Sequence, residues 1–341
     1  MKAARYQGPR RMAVENLPEP LCGDGEVLLE MKACGICGTD VKTYVRGHPL
    51  IPPGSVLGHE VAGVIVESRH PDFKPGDRVV AAPYAPCLTC SMCRRHLFSL
   101  CENLFESSIE PGGFAEFVRV RKRVADQALI KLPAHLDYMT ASLAEPLGCC
   151  FHGLEALDLQ AGQSLLILGD GPMGLLQAAL GKTLGASPVF LSGITPHRLD
   201  FAHQFADVVV DVSKQELAET LKKHGSDGPE KIIVSVGSVE VVQDALQLVA
   251  KGGTVNIFAG MPKDAVLTLP MNRIHYDEIR VVGTFGFCPQ HFRQAVDILG
   301  RRHTDLAGIF THTVTLEEIE AALQAASRYE GIKGVVIPSG S

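Results

Sequence analysis

The sequence predicts an α/β protein in two parts: a β-rich, barrel-like region and then a doubly wound parallel sheet. Two observations carry this. Up to about residue 150, short β-branched runs alternate with Pro- and Gly-rich punctuation such as PPGSVLG and KPGD. From about residue 160, apolar strand-sized runs alternate with helix-like segments. That is the pattern of a parallel sheet covered on both faces. A chain of 341 residues fits two domains, and 46% hydrophobic against 21% charged residues supplies a core.

The strands of the first part are read from EVLLEMKA (26–33), VAGVIVE (61–67), RVVAA (78–82) and FAEFVRV (114–120). The second part opens with SLLILGDGPMGLLQAALGKTLGA, an apolar strand, a glycine-rich turn and a helix pattern. PVFLS (188–192), DVVVD (207–211), KIIVSV (231–236) and GTVNIF (253–258) continue the series, and IRVVGTFGF (279–287) supplies a sixth strand. Two amphipathic helices, about 289–300 and 315–327, and a last strand, GVVIP, end the chain.

With 32 basic and 38 acidic side chains the net charge is −6, and no block of like charge stands out. Nucleic acid and anionic membrane are therefore not expected as partners. The N-terminus has no apolar run of signal-peptide length, and the longest apolar stretches, such as Leu165–Leu168 and Ile232–Val236, are strand-sized. The cytosol is the expected location. In a reducing compartment clustered cysteines act as metal ligands more often than as disulfides.

Cys87, Cys90, Cys93 and Cys101 follow C-x2-C-x2-C-x7-C. Four soft ligands in one short segment suit a closed tetrahedral zinc site, which stabilises a lobe and does no chemistry. The rival is an iron–sulfur cluster. The bacterial ferredoxin run places its fourth cysteine at x3 before a proline, whereas Cys101 comes at x7 before Glu102.

A second constellation is spread over CGICGTD (34–40), GHE (58–60) and AEPLGCCFHG (144–153). Cys37, His59 and a carboxylate from Glu60 or Glu145 would form a mixed S/N/O zinc site with one position open, as a catalytic zinc requires. Each residue alone has an ordinary explanation, since cysteines are commonly buried and histidines commonly structural.

Gly169-Asp170-Gly171-Pro172-Met173-Gly174 matches G-x-G-x-x-G between a strand and a helix. Such a loop brings backbone close to a pyrophosphate at a helix N-terminus. The acidic residue expected after the next strand is replaced by Gly193, with Thr195, His197 and Arg198 close by. Loss of that carboxylate tips the reading toward NADP(H). The alternative is a permissive NAD site, with Arg198 on a solvated helix turn.

Together and in order, these elements resemble the zinc-containing medium-chain alcohol dehydrogenases, with the sorbitol and threonine dehydrogenase branch nearest. CGICGTD, GHEVAGVIVE, KPGDRV, the four-cysteine lobe, EPL and GDGPMG carry the likeness over nearly the whole chain. It implies a GroES-like β-barrel-type catalytic domain, residues 1–151 and 286–341, with a structural zinc lobe at about 86–102. A Rossmann domain would span 152–285. Two zinc ions per chain are implied, one structural and one catalytic. In the catalytic site Glu145 would replace a thiolate, as in the polyol dehydrogenases, and Glu60 would ligate directly or exchange with water. Thr39 keeps the start of the family's proton relay, but Lys42 stands where many relatives have histidine.

The implied activity is a zinc-dependent, NAD(P)-linked interconversion of a secondary alcohol (polyol, sugar alcohol or cyclitol) and its ketone. The alternatives are a physiological ketone reductase and a catalytically silent, zinc-stabilised binding protein. Cys37, His59 and the lobe speak against a zinc-free quinone reductase. Tyr44, Arg46, His48, Arg273, His275 and Tyr276 are candidates for a polar substrate pocket. The resemblance also implies a homo-oligomer, a dimer or tetramer associating through the Rossmann domain.

Overall fold

A hairpin, β1 (Lys2–Gly8) with β2 (Arg11–Asn16), opens the chain in the computed structural model, which describes residues 1–301 and 306–339. Five strands follow: β3 (Val27–Gly35), β4 (Glu60–Ser68), β5 (Arg78–Ala81), β6 (Phe117–Val120) and β7 (Leu129–Lys131). Strand β3 is the hub of their sheet. It pairs with β4 along its length and with β6 over Val27–Glu30. Its interior alternates, with Leu29, Met31 and Ala33 buried and Glu30 and Lys32 half-buried, as a sheet with one packed face requires.

The next six strands form a separate sheet: β8 (Leu165–Leu168), β9 (Val189–Gly193), β10 (Val208–Asp211), β11 (Lys231–Val234), β12 (Thr254–Ile257) and β13 (Arg280–Gly283). All are parallel, in the order β10-β9-β8-β11-β12-β13. The order reverses direction between β8 and β11. Ligands of open parallel sheets gather at the carboxyl ends of strands beside such a reversal. Every residue of β8 and β11 is buried, which explains why these strands read as unbroken apolar runs.

The chain then adds β14 (Phe310–Val314) and β15 (Lys333–Val336) to the first sheet, giving the order β14-β15-β3-β4-β5-β7 with β6 also on β3. Two units result, Met1–Gly148 with Phe287–Ser341, and Cys149–Gly286. Each has its own core. Leu29, Val61 and Phe114 lie in the first, and Leu166, Ile232 and Val255 in the second. Burying each such side chain contributes about 1.5–3 kcal/mol. Among the described residues no helix is long and apolar enough to cross a membrane.

Candidate functional site

Strand β3 ends at Gly35, and two residues later Cys37 caps the helix Gly38–Arg46. Its Sγ accepts from Thr39 N–H at 3.5 Å, while the carboxylate of Asp40 accepts from Cys37 N–H at 2.9 Å. This reciprocal cap fixes the thiol. Asp40 is buried, and its second oxygen accepts from Gly58 N–H at 3.2 Å and lies 3.6 Å from His59 Nδ1. One carboxylate thus ties the loop before β4 to the capped helix and steers the imidazole.

Glu60 begins β4, in register with Gly35 on β3. A Cβ at position 35 would fall 1.8 Å from Glu60 Oε2, so glycine there makes room for the carboxylate. Lys333, buried on β15, donates to Glu60 Oε1 at 2.9 Å and to Ile36 O at 3.2 Å, and its Nζ lies 2.7 Å from Oε2. The pair places a buried charge beside its opposite, the condition under which buried charges persist.

Ligand atoms of Cys37, His59 and Glu60 lie within 4.8 Å of one another. A thiolate, an imidazole and a carboxylate at this spacing suit zinc with a coordination position left over. The surroundings favour a cation. Burial works against a protonated His59, yet Asp40 and Cys37 outweigh it and raise the imidazole's pKa well above its usual value. Glu145, in the helix Ala144–Ala156, is buried, and burial pushes its carboxyl up to about 7. It interacts electrostatically with His59, Glu60, Lys333 and Asp40 but stands outside the convergent trio. Thr39 and Lys42 are exposed on the capped helix.

In the lobe, the sulfurs of Cys87, Cys90, Cys93 and Cys101 all lie within 4.8 Å of one another, with Cys87–Cys93 at 4.0 Å and Cys90–Cys101 at 3.9 Å. Zn–S bonds of about 2.3 Å in a tetrahedron separate sulfurs by about 3.8 Å, so the four fit one zinc. Backbone N–H groups aim at them: Cys87 N to Cys101 Sγ at 3.2 Å, Cys90 N to Cys87 Sγ at 3.3 Å, Cys93 N to Cys90 Sγ at 3.5 Å. Hydrogen bonds from Thr89 push the Cys87 thiol down to about 5, while burial pushes Cys93 up to about 12. Four neighbouring thiols cannot all ionise without a cation among them. None of the ten cysteines, all within the described residues, forms a disulfide.

In the second unit, β8 runs into Gly169 (φ 124°), a left-handed conformation that favours glycine. A Cβ at Gly174 would meet Gly169 O at 1.9 Å, so helix and strand pack at glycine distance. At Gly171 a Cβ would meet nothing within 4 Å, which leaves open space before the helix Pro172–Thr183, with Pro172 in its first turn and Met173 following. These features fit a dinucleotide pyrophosphate.

Gly193 ends β9, but its neighbourhood is occupied. The buried Asp170 reaches across from the loop, and its Oδ2 accepts from Ile194 N–H at 2.9 Å and Thr195 N–H at 2.6 Å. Arg198 is buried in the helix Pro196–Ala202, so the solvated turn considered from sequence is not what forms.

Tyr44 and Arg273 have structural work that the substrate-pocket reading did not foresee. Tyr44 is buried, donates to Glu320 at 3.1 Å and accepts from Gln324 at 3.1 Å. Arg273 donates to the carbonyls of Leu246 and Val249. Sequence reasoning also passed over Asp40, Lys333 and Asp170. The C-x-x-D cap spacing was a legible signal for Asp40. Nothing local marks Lys333, which meets Glu60 across 273 residues.

Comparison with known proteins bears on both units. Residues 23–134 match the family model "Alcohol dehydrogenase GroES-like domain", and residues 172–301 match "Zinc-binding dehydrogenase". D-arabinitol dehydrogenase 1 of Uromyces fabae is 32% identical over 355 residues, covering 99% of this chain and 97% of its own. The chain belongs to the zinc-containing medium-chain alcohol dehydrogenases. The oxidoreductase is also 29% identical to sorbitol dehydrogenase of Bacillus subtilis (strain 168) over 350 residues, covering 99% and 98% of the two chains. A solved zinc-binding dehydrogenase of Sinorhizobium meliloti 1021, bound to NADP, superimposes with a TM-score of 0.91 at 30% identity, covering 99% of each chain. For this dehydrogenase the donor sets of the trio and of the lobe suit the family's metal.

Proposed function

We propose that this dehydrogenase interconverts a secondary alcohol of a polyol or sugar alcohol and its ketone, using NAD(P). The observation that carries the reading is the convergence of Cys37, His59 and Glu60 within 4.8 Å. The polyol substrates named for the curated relatives support the substrate class. A zinc ion held by Cys37, His59 and a carboxylate of Glu60 or Glu145 would supply Lewis acidity toward a substrate hydroxyl, and a nicotinamide would take the hydride.

The chain's own residues do the rest. Asp40 holds the thiol cap and the imidazole in fixed relation. Lys333 pins the Glu60 carboxylate at the start of β4. Thr39, exposed on the capped helix, takes the hydroxyl proton on its Oγ1 while releasing its own hydroxyl proton to water, since Lys42 offers no imidazole to carry the proton further. In the other unit, Gly169, Gly171, Pro172, Met173 and Gly174 carry the pyrophosphate, and the segment from Gly193 through Thr195 to Arg198 faces the adenosine ribose. A second zinc in the lobe of Cys87, Cys90, Cys93 and Cys101 is structural.

The test is a panel of polyols, amino alcohols and cyclitols assayed with NAD+ and NADP+ before and after zinc chelation. We expect oxidation of at least one polyol, lost on chelation and restored by zinc. A zinc-replete protein inert toward every alcohol and ketone of the panel would sink the reading.

We further propose a cytosolic homo-oligomer, a dimer or tetramer. Strand β13 is the edge of its sheet, Val281 and Val282 on it are half-buried, and Phe285 just beyond is 55% exposed. A second copy pairing along this edge would cover it. Sedimentation at micromolar concentration should show a dimer or larger, and a monomer alone would refute it.

A further inference from the structure

The adenosine-ribose end of a dinucleotide site is read by the residue closing the second strand of the βαβ unit, ordinarily an Asp or Glu that binds the ribose hydroxyls. Here that residue is Gly193, at the end of β9. The space its side chain would fill is not empty. A Cβ built on Gly193 would lie 2.4 Å from Asp170 Cβ, 2.5 Å from its Cγ and 2.5 Å from its Oδ2. Glycine at 193 therefore makes room for the carboxylate of Asp170, the second residue of the glycine loop.

We propose that Asp170 supplies, from the loop, the carboxylate that the end of β9 lacks, and that it is the residue opposing a 2′-phosphate on the adenosine ribose. The proposal rests on the dinucleotide-binding role given to this loop above.

Three features support it. Asp170 is only 8% exposed, and its Oδ2 is held by the N–H groups of Ile194 and Thr195, so the carboxylate is fixed in place. Among the described hydrogen bonds its Oδ1 is not engaged, which leaves an acceptor for a ribose hydroxyl. Those same two N–H groups are the donors a 2′-phosphate would need from this turn, and Asp170 already occupies them. A phosphate brought here would also meet a carboxylate with its own charge of about −2. Arg198, buried in the helix Pro196–Ala202 that follows this turn, is the cation that acts against this repulsion.

The experiment uses the zinc-loaded, full-length protein and titrates NAD+ and NADP+ by calorimetry in wild type, Asp170→Asn and Asp170→Ala. Asparagine keeps the shape and an acceptor for the two N–H groups while removing the charge. We expect the ratio of the two dissociation constants to move toward NADP+ by about tenfold or more in both variants. If Asp170 only braces the turn, both nucleotides weaken together and the ratio stays put, which overturns the proposal. A wild type that binds neither nucleotide would instead defeat the dinucleotide reading itself.

Discussion

Asp40 carries three contacts on one carboxylate: Cys37 N–H, Gly58 N–H and the approach to His59 Nδ1. Its two oxygens divide the work, one toward the helix cap and one toward the loop before β4. Removing them leaves two donors without partners, at about 1–3 kcal/mol each where they are buried. It also frees the two proposed zinc ligands to drift apart. We expect Asp40→Ala to weaken zinc binding by about 10–100-fold, read by competition with a chromophoric chelator. An unchanged zinc affinity would show that Cys37 and His59 are positioned without it. The proposed ligands Cys37 and His59 were legible because CGICGTD and GHE are compact. Asp40 closes the first of those motifs, yet its reach to Gly58 depends on how two distant segments meet.

At the scale of elements, the lobe is a short segment wound around its own sulfurs. Its N–H groups point at thiols, so without a cation the segment would hold competing acceptors and protons in a tight space. Cys93→Ser should lower zinc content by about one ion per chain and lower the melting temperature, measured by elemental analysis and calorimetry. Full zinc content with an unmoved melting temperature would mean the lobe holds no metal. The glycine loop is the other self-contained element. Each glycine has its own reason: a Cβ at Gly174 would strike the carbonyl oxygen of Gly169, and Gly169 itself sits at a left-handed φ of 124°. Both elements were readable from spacing alone, because every group they need lies within a few residues.

At the scale of the molecule, the trio of Cys37, His59 and Glu60 lies in one unit, and the glycine loop lies within Cys149–Gly286. Each unit has its own core, so damage to one need not unfold the other. His59→Ala should therefore abolish turnover while leaving the dissociation constant for the preferred dinucleotide within about twofold of wild type. Dinucleotide affinity is read by calorimetry and turnover by the polyol assay. Wild-type turnover in this variant would remove His59 from the chemistry.

The sequence by itself determined the α/β class, the parallel sheet implied by strand–helix alternation, the four-sulfur lobe and the glycine-rich strand–turn–helix. These are written in local periodicity and spacing, which survive whatever the rest of the chain does. It did not reveal the hairpin of β1 and β2, whose turn places the non-glycine Arg10 at φ 59° rather than using a glycine pair. Nor did it reveal that Lys333 would balance Glu60, or that Gly193 would cradle Asp170. Those are partnerships between strands or loops far apart in the chain. They exist only once sheet register has brought the backbone positions together, and a missing side chain then matters for what fills its place.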